Sequence, residues 1–264
     1  MNNKKIIYIT LIIIGLALIG FAAFRLISGE VEYAAARSEY DELRELFDSF
    51  NFVPTVVVPA VSEVTEQSSE PEEDSGSLVS FEPAELPDPM LALLDVNPNF
   101  VGWISIHNLI SYPVVQGRDN YRYLSTTFSG RRNSSGAVFM DSRNDEELSD
   151  PVTIIYGHNM HDGSMFRPLH RLRDNAFLAE HGYIIITMPD WTVYTYKIFA
   201  VNIVSAWDVE NNPRKMTAAS LTRSVRGVPD DAERFLILST CTTSADDDER
   251  LRIYAALVDV SYKE

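Results

Sequence analysis

Residues 234–241 read RFLILSTC, an apolar run that turns polar at Ser239, Thr240 and Cys241. Branched aliphatic and aromatic side chains in a run of this length predict a β-strand, with the cysteine at its end. The stretch that follows, TTSADDDER (242–250), reads as a loop, and LRIYAALVDVSY (251–262) reads as a returning strand. Working back toward the N-terminus, VTIIYGH (152–158), YIIITM (183–188) and TVYTYKIFAVNIVSAW (192–207) have the same texture. So do VGWISI (101–106), YPVVQ (112–116) and GAVFMD (136–141), all bounded by Gly, Asn, Asp or Pro. Eight such runs, beginning after about Met90, suit a mainly β body closed as a barrel or stacked as a sandwich. Two helical interruptions are expected, Pro168 to Glu180 and Thr217 to Arg226, the second with Thr217 as its N-cap.

The N-terminal third is different. Ile6 to Phe24 is uncharged, and about 20 apolar residues span a bilayer core as a helix. A membrane anchor over 6–27 is expected; a signal peptide cleaved near Ala22-Ala23 is the rival, although its apolar region would be shorter, roughly 7–15 residues. Lys4 and Lys5 before the span place residues 1–5 in the cytoplasm and everything after the span outside the cell. Ala36, Tyr40, Leu43, Phe47 and Phe50 then recur at helical spacing, which predicts an amphipathic helix over 28–52 with one face packed on the folded body. Residues 53–89 hold acidic residues, no basic ones and repeated prolines, the composition of an extended, solvated stalk. Residues 90–264 form the body, and the segment before about residue 90 is expected to be dispensable for its chemistry.

A net charge of -16 excludes a general affinity for nucleic acid or anionic lipid. Much of that charge belongs to the stalk, so it is no sign of an acidic binding face. With one cysteine in the chain there is no intramolecular disulfide and no multi-cysteine metal site, and no metal or cofactor is expected. A lone extracellular cysteine is either a small buried hydrophobe or a reactive thiol. The polar end of its strand favours exposure at a barrel rim.

A nucleophilic thiol needs a proton acceptor and an oxyanion partner. Of the five histidines, His158 alone follows directly on a strongly apolar strand, with Gly157 beside it to permit an unusual turn; His161 is the fallback. Arg250 and Arg252 open the final strand, share one face by parity, and each carries a permanent charge with several N–H donors. Either lies across from the thiol if the two strands form a hairpin. Ser239 and Thr240, the polar residues before the thiol, are candidate substrate-binding residues.

YGHNM around His158, LSTC ending at Cys241 and an arginine shortly after it resemble a class B sortase. NPNFVGWISIHNLISYPVVQGRDNYRYL (97–124), GAVFMDSRND (136–145) and TIIYGHNMHDGSMF (153–166) carry the resemblance across roughly residues 95 to 260, in the family's order. It implies an eight-stranded sortase-type β-barrel with N-terminal helices and a helix-bearing connection before the cysteine strand. It implies cleavage of an LPxTG-like or NPQTN-like C-terminal sorting signal between Thr and Gly, and transfer of the acyl group to an amine of a cell-wall precursor or a pilin. Carried over, Cys241 is the acylated nucleophile, His158 the proton donor and acceptor, and Arg250, favoured over Arg252 by a short hairpin return, the oxyanion partner. The implied partners are surface proteins bearing sorting signals, at the outer face of a Gram-positive cell membrane.

Two departures stand out. Ile237 replaces a Thr that the family often has at the start of TLxTC, and 209–231, which carries a longer helix in class B members, looks short. The rivals are a cysteine protease of another family, whose local signatures are absent, and a tethered adhesion or binding module with an inert thiol.

Overall fold

The computed structural model describes residues 3–49, 88–206, 212–242 and 248–262. Eight strands close a barrel: β1 (Phe100–Ile106), β2 (Ile110–Gln116), β3 (Val138–Met140), β4 (Val152–Tyr156), β5 (Tyr183–Thr187), β6 (Val193–Ser205), β7 (Phe235–Cys241) and β8 (Glu249–Ser261). Around the barrel they run β1-β2-β3-β4-β7-β8-β6-β5, with β5 paired back to β1. The β2/β3 and β4/β7 pairs are parallel and the rest antiparallel. Each of the eight apolar runs in the sequence is one of these strands.

Strands β4 and β7 are buried on both faces, which is why they read as continuous apolar runs. Met140, Ile155, Leu238 and Ile253 are paired across four neighbouring strands and point into the barrel core. On the outer face, Val152, Ile154, Phe235, Ile237, Tyr254 and Ala256 form a second cluster covered by Met216, Leu221 and Val225. That cover comes from the β6–β7 connection, which carries the last of four helices: α1 (Asn3–Asp48), α2 (Pro89–Val96), α3 (Asn175–Glu180) and α4 (Ala218–Ser224). Thr217 caps α4 through a reciprocal capping box with Ser220. The expected helix after the YGH strand is a 3-10 stretch, Arg167–Arg173, followed by α3.

The two N-terminal helical stretches form one uninterrupted helix. In its first half, side chains such as Leu11, Ile12, Leu16, Ile19, Phe21 and Phe24 are exposed, and the segment is long and apolar enough to cross a membrane. In its second half Ala36, Tyr40, Leu43 and Phe47 are buried against the barrel. Phe47 stacks on Trp103 at 4.4 Å, and Tyr40 meets Tyr112 edge-on at 5.4 Å. The stripe thus docks on the body as expected. Tyr40 and Phe47 are part of the core of the body. The stalk at 53–89 and Phe50 lie outside the described residues, except for Asp88 and Pro89. Asp88 caps α2 and accepts from the Trp191 indole at 3.0 Å.

Candidate active site

Along β4, β7 and β8 the outer face changes character where the α4 cover ends. Register and strand period define two adjacent rows. In the inner row Tyr156 is the Cα partner of Ser239, and Ser239 that of Arg252. One pleat further, Cys241 is the partner of Arg250, and His158 lies two residues beyond Tyr156 on the parallel neighbour. The outer row is therefore Cys241 and Arg250 across β7 and β8, and His158 follows two residues after the end of β4, the parallel neighbour of the thiol's strand. Cys241 is exposed, whereas Ser239 and Thr240 are buried. Ser239 shares the face of the thiol; Thr240 alternates to the barrel interior, away from the row. His161 lies on the exposed loop beyond the row.

The His158 ring is held by main chain. Its Nε2 lies 2.8 Å from the carbonyl oxygen of Leu124. A carbonyl only accepts, so Nε2 carries the hydrogen of this contact and Nδ1 is the ring nitrogen not used in it. The segment after the ring folds back on itself: the Phe166 amide donates to the His158 carbonyl at 2.9 Å, and Asn159 bridges to Met165. Gly157 acts differently from expectation. It has no positive φ; a Cβ there would lie 2.6 Å from the Phe166 ring, so glycine is required by close packing. Gly136 does occupy the left-handed region at φ 58°, and a Cβ there would meet the Tyr123 carbonyl at 2.5 Å and the His158 ring at 3.1 Å.

The two arginines separate cleanly. Arg250 is part-buried at the rim, with Nη1 donating to the Glu249 carbonyl at 2.9 Å. Arg252 is 1% exposed and hydrogen-bonds the Tyr254 hydroxyl, whose pKa is raised by burial against the opposing pull of that guanidinium. Beside it, burial and the Asp141 carboxylate raise the Tyr156 pKa, and the Tyr156 hydroxyl donates to Asp141 Oδ2 at 3.0 Å. Asp141 also accepts from Arg143 Nε and Nη2, at 2.8 and 2.6 Å, and from Asn120 Nδ2 at 2.9 Å. Burial acts to raise the Asp141 pKa, but the hydrogen bonds from Arg143 and Tyr156, with the Arg143 charge, prevail and hold it below the usual carboxylate value.

Sequence reasoning missed two side chains that reach the backbone at and just after the thiol. His170 Nε2 lies 3.1 Å from the Cys241 carbonyl, and Asn159 Nδ2 donates to the Thr242 carbonyl at 3.0 Å. Burial lowers the His170 pKa, the hydrogen bond to Cys241 opposes that, and Arg167 and Arg173 lower it further. Side chain to carbonyl contacts across 71 and 83 positions leave no sequence pattern. Among the described residues, no group of three or more His, Cys, Asp or Glu side chains is placed to hold a metal ion.

An exposed thiol paired across the strands with a guanidinium, and an imidazole just after the end of the neighbouring strand, are residue types suited to acyl transfer. The family model for the sortase domain matches residues 104–258. Sortase B of Listeria monocytogenes is 34% identical over 175 residues, covering 61% of this chain and 70% of that protein. Among solved structures, sortase B from Bacillus anthracis in complex with AAEK1 superposes with a TM-score of 0.62 at 25% identity, covering 87% of this chain and 99% of that one. A Streptococcus pyogenes class B sortase involved in pilus biogenesis gives 0.58 at 26% identity, covering 64% and 97%. A family model spanning more than half the chain, over the same closed barrel that carries the thiol, places this protein in the sortase family of cysteine transpeptidases, among its class B members.

Proposed function

We propose that the protein cleaves a C-terminal sorting signal of LPxTG-like or NPQTN-like type between Thr and Gly through a thioacyl intermediate on Cys241. The observation that carries this reading is the shared row of Cys241 and Arg250, paired across β7 and β8, with His158 at the end of the neighbouring parallel strand. The Cys241 thiolate attacks the threonine carbonyl carbon, and Arg250 donates hydrogen bonds to the developing oxyanion. His158, protonated at Nδ1, gives that proton to the departing glycine amine as the C–N bond breaks. An acceptor amine then attacks the thioester carbonyl, His158 takes its proton, and the thiolate leaves. Acceptor and product are joined by a new amide bond, with no redox change and no cofactor. Ser239, one pleat behind the thiol on the same face, lies under the bound signal, whereas Thr240 faces the barrel interior and does not reach it.

The apolar half of α1 anchors the enzyme in the cytoplasmic membrane of a Gram-positive cell, with Lys4 and Lys5 inside and the barrel outside. Its partners are sorting-signal-bearing surface proteins and an amine of a peptidoglycan precursor or a pilin. The test incubates the full-length chain in detergent micelles with LPxTG, NPQTN and SPxTG peptides, with and without an amine acceptor. An acyl adduct on Cys241 by mass spectrometry, consumed when the amine is added, is the expected result. Adduct formation at another residue, or cleavage that persists in Cys241→Ala, overturns it.

A further inference from the structure

The segment 158–170 carries His158 at one end and, through two other side chains, grips the backbone of the thiol. Asn159 Nδ2 donates to the Thr242 carbonyl at 3.0 Å, while Arg167 Nη1 donates to Asn159 Oδ1 at 3.2 Å and so orients the amide with its NH2 group toward β7. His170 reaches the Cys241 carbonyl itself at 3.1 Å. The segment is internally closed: the Phe166 amide bonds the His158 carbonyl, Asn159 bridges Met165, and the Met165 amide donates to the Tyr112 hydroxyl at 2.9 Å. Within β7, ladder pairing ends at Cys241, where β8 supplies Arg250. From β4 the last main-chain contact is the Gly157 amide to the Ser239 carbonyl at 3.3 Å, two residues short of the thiol. Beyond that point the carbonyls of Cys241 and Thr242 face the 158–170 segment, and side chains take over from the ladder.

We infer that Asn159 and His170 are positioning residues that extend the β4/β7 pairing past its main-chain end and thereby fix the distance between the thiol and the His158 ring. One rigid segment then determines both the place of the base and the place of the nucleophile. Proton transfer and attack need reacting atoms held to within a fraction of an ångström, and a displacement of about 1 Å lowers rate by as much as 10²-fold. Neither residue touches the reacting atoms, so both act on turnover and leave substrate affinity nearly unaltered. This inference rests on the assignment of Cys241 and His158 made above.

The test compares His170→Ala, His170→Gln, Asn159→Ala and Asn159→Asp with the parent, as full-length chains in detergent micelles. The substrate is whichever fluorogenic LPxTG or NPQTN peptide the parent cleaves. Each alanine variant is expected to lose on the order of 10-fold in kcat with KM within about twofold, and to keep its thermal midpoint. His170→Gln, whose amide restores an N–H toward the Cys241 carbonyl, recovers turnover. Asn159→Asp, isosteric but without the donor, does not. Unchanged kcat in both alanine variants, or losses that track a lowered thermal midpoint without rescue by glutamine, overturn the inference. His158→Ala is assayed in parallel: if it is inactive while Asn159 and His170 variants turn over normally, only the positioning role fails. If it retains full turnover, the base assignment fails and the positioning role with it.

Discussion

Arg250 and Arg252 are the same residue type on the same face of the same strand, one pleat apart, yet the barrel gives them opposite environments. Arg250 stands at the open rim opposite Cys241. Arg252 is buried between Ser239, Tyr156 and Tyr254, beside the carboxylate network of Asp141. The guanidinium at the rim is only part-buried and stands across the strand pair from the exposed thiol. The one buried behind the rim, 1% exposed and hydrogen-bonded to Tyr254, is out of reach of a substrate, and its removal leaves a buried hydroxyl without its partner. Depth along the strand therefore sets the environment of each guanidinium, and the two arginines measure that gradient.

The sharpest way to anchor the comparison is the thiol itself. Cys241→Ala is expected to abolish acyl-enzyme formation and transpeptidation with the thermal midpoint nearly unchanged, because the side chain is exposed and the chain holds no second thiol. Arg250→Ala should lower kcat by about 10²–10³-fold, the loss seen when an oxyanion donor is removed, with little change in stability. Arg250→Lys should recover little, since an ammonium does not reproduce the planar fork. Arg252→Ala should do the reverse: about 3 kcal/mol of stability lost in denaturant unfolding, from breaking a buried charged network, with a smaller effect on the turnover of the remaining folded enzyme. A dead but stable Arg252→Ala beside an active Arg250→Ala would exchange their roles.

Smaller effects test the supports behind each row. The Tyr40 hydroxyl of α1 donates to the Gly136 carbonyl at 2.6 Å, and Gly136 packs on the His158 ring. Tyr40→Phe leaves that buried carbonyl without its donor and should lower stability by about 1–2 kcal/mol. The same change gauges how much of the helix beyond the membrane segment belongs to the working body. Asp141 supports the inner row in a pH-dependent way. Its folded-state pKa is depressed, so its contribution is present above the ordinary carboxylate value of 3.8 and is lost as pH falls through the depressed value. The stability gap between the parent and Asp141→Asn, measured by urea unfolding, should therefore be widest near neutral pH and close on acidification. A gap independent of pH would remove the charge from the account of this network.

The halves of α1 show how far a helical pattern carries. The spacing of Ala36, Tyr40, Leu43 and Phe47 shows in the sequence that one face is covered, and the uncharged run before it shows that the other half seeks a different solvent. Neither shows that the two halves are one helix, or that Tyr40 closes on a glycine against the His158 ring. Continuity depends on the absence of a break that no single residue announces. The contact with Gly136 spans 96 positions.

By itself the sequence determined the eight strands, because runs buried on one or both faces must be written in apolar residues. It also determined the Thr217 cap and the identity of the lone thiol, because capping and cysteine chemistry are local properties of residue type. It brought His158, Cys241 and an arginine into view through motifs. Only the barrel decided that Arg250 faces Cys241 while Arg252 is buried, since the two have equal parity and differ solely in register against β7. Only the barrel placed Phe166 on Gly157, Leu124 under the His158 ring, and Asn159 and His170 on the carbonyls beside the thiol. These are contacts to main-chain atoms, which every residue possesses alike, so nothing in the one-dimensional pattern distinguishes the carbonyl that is used from those that are not.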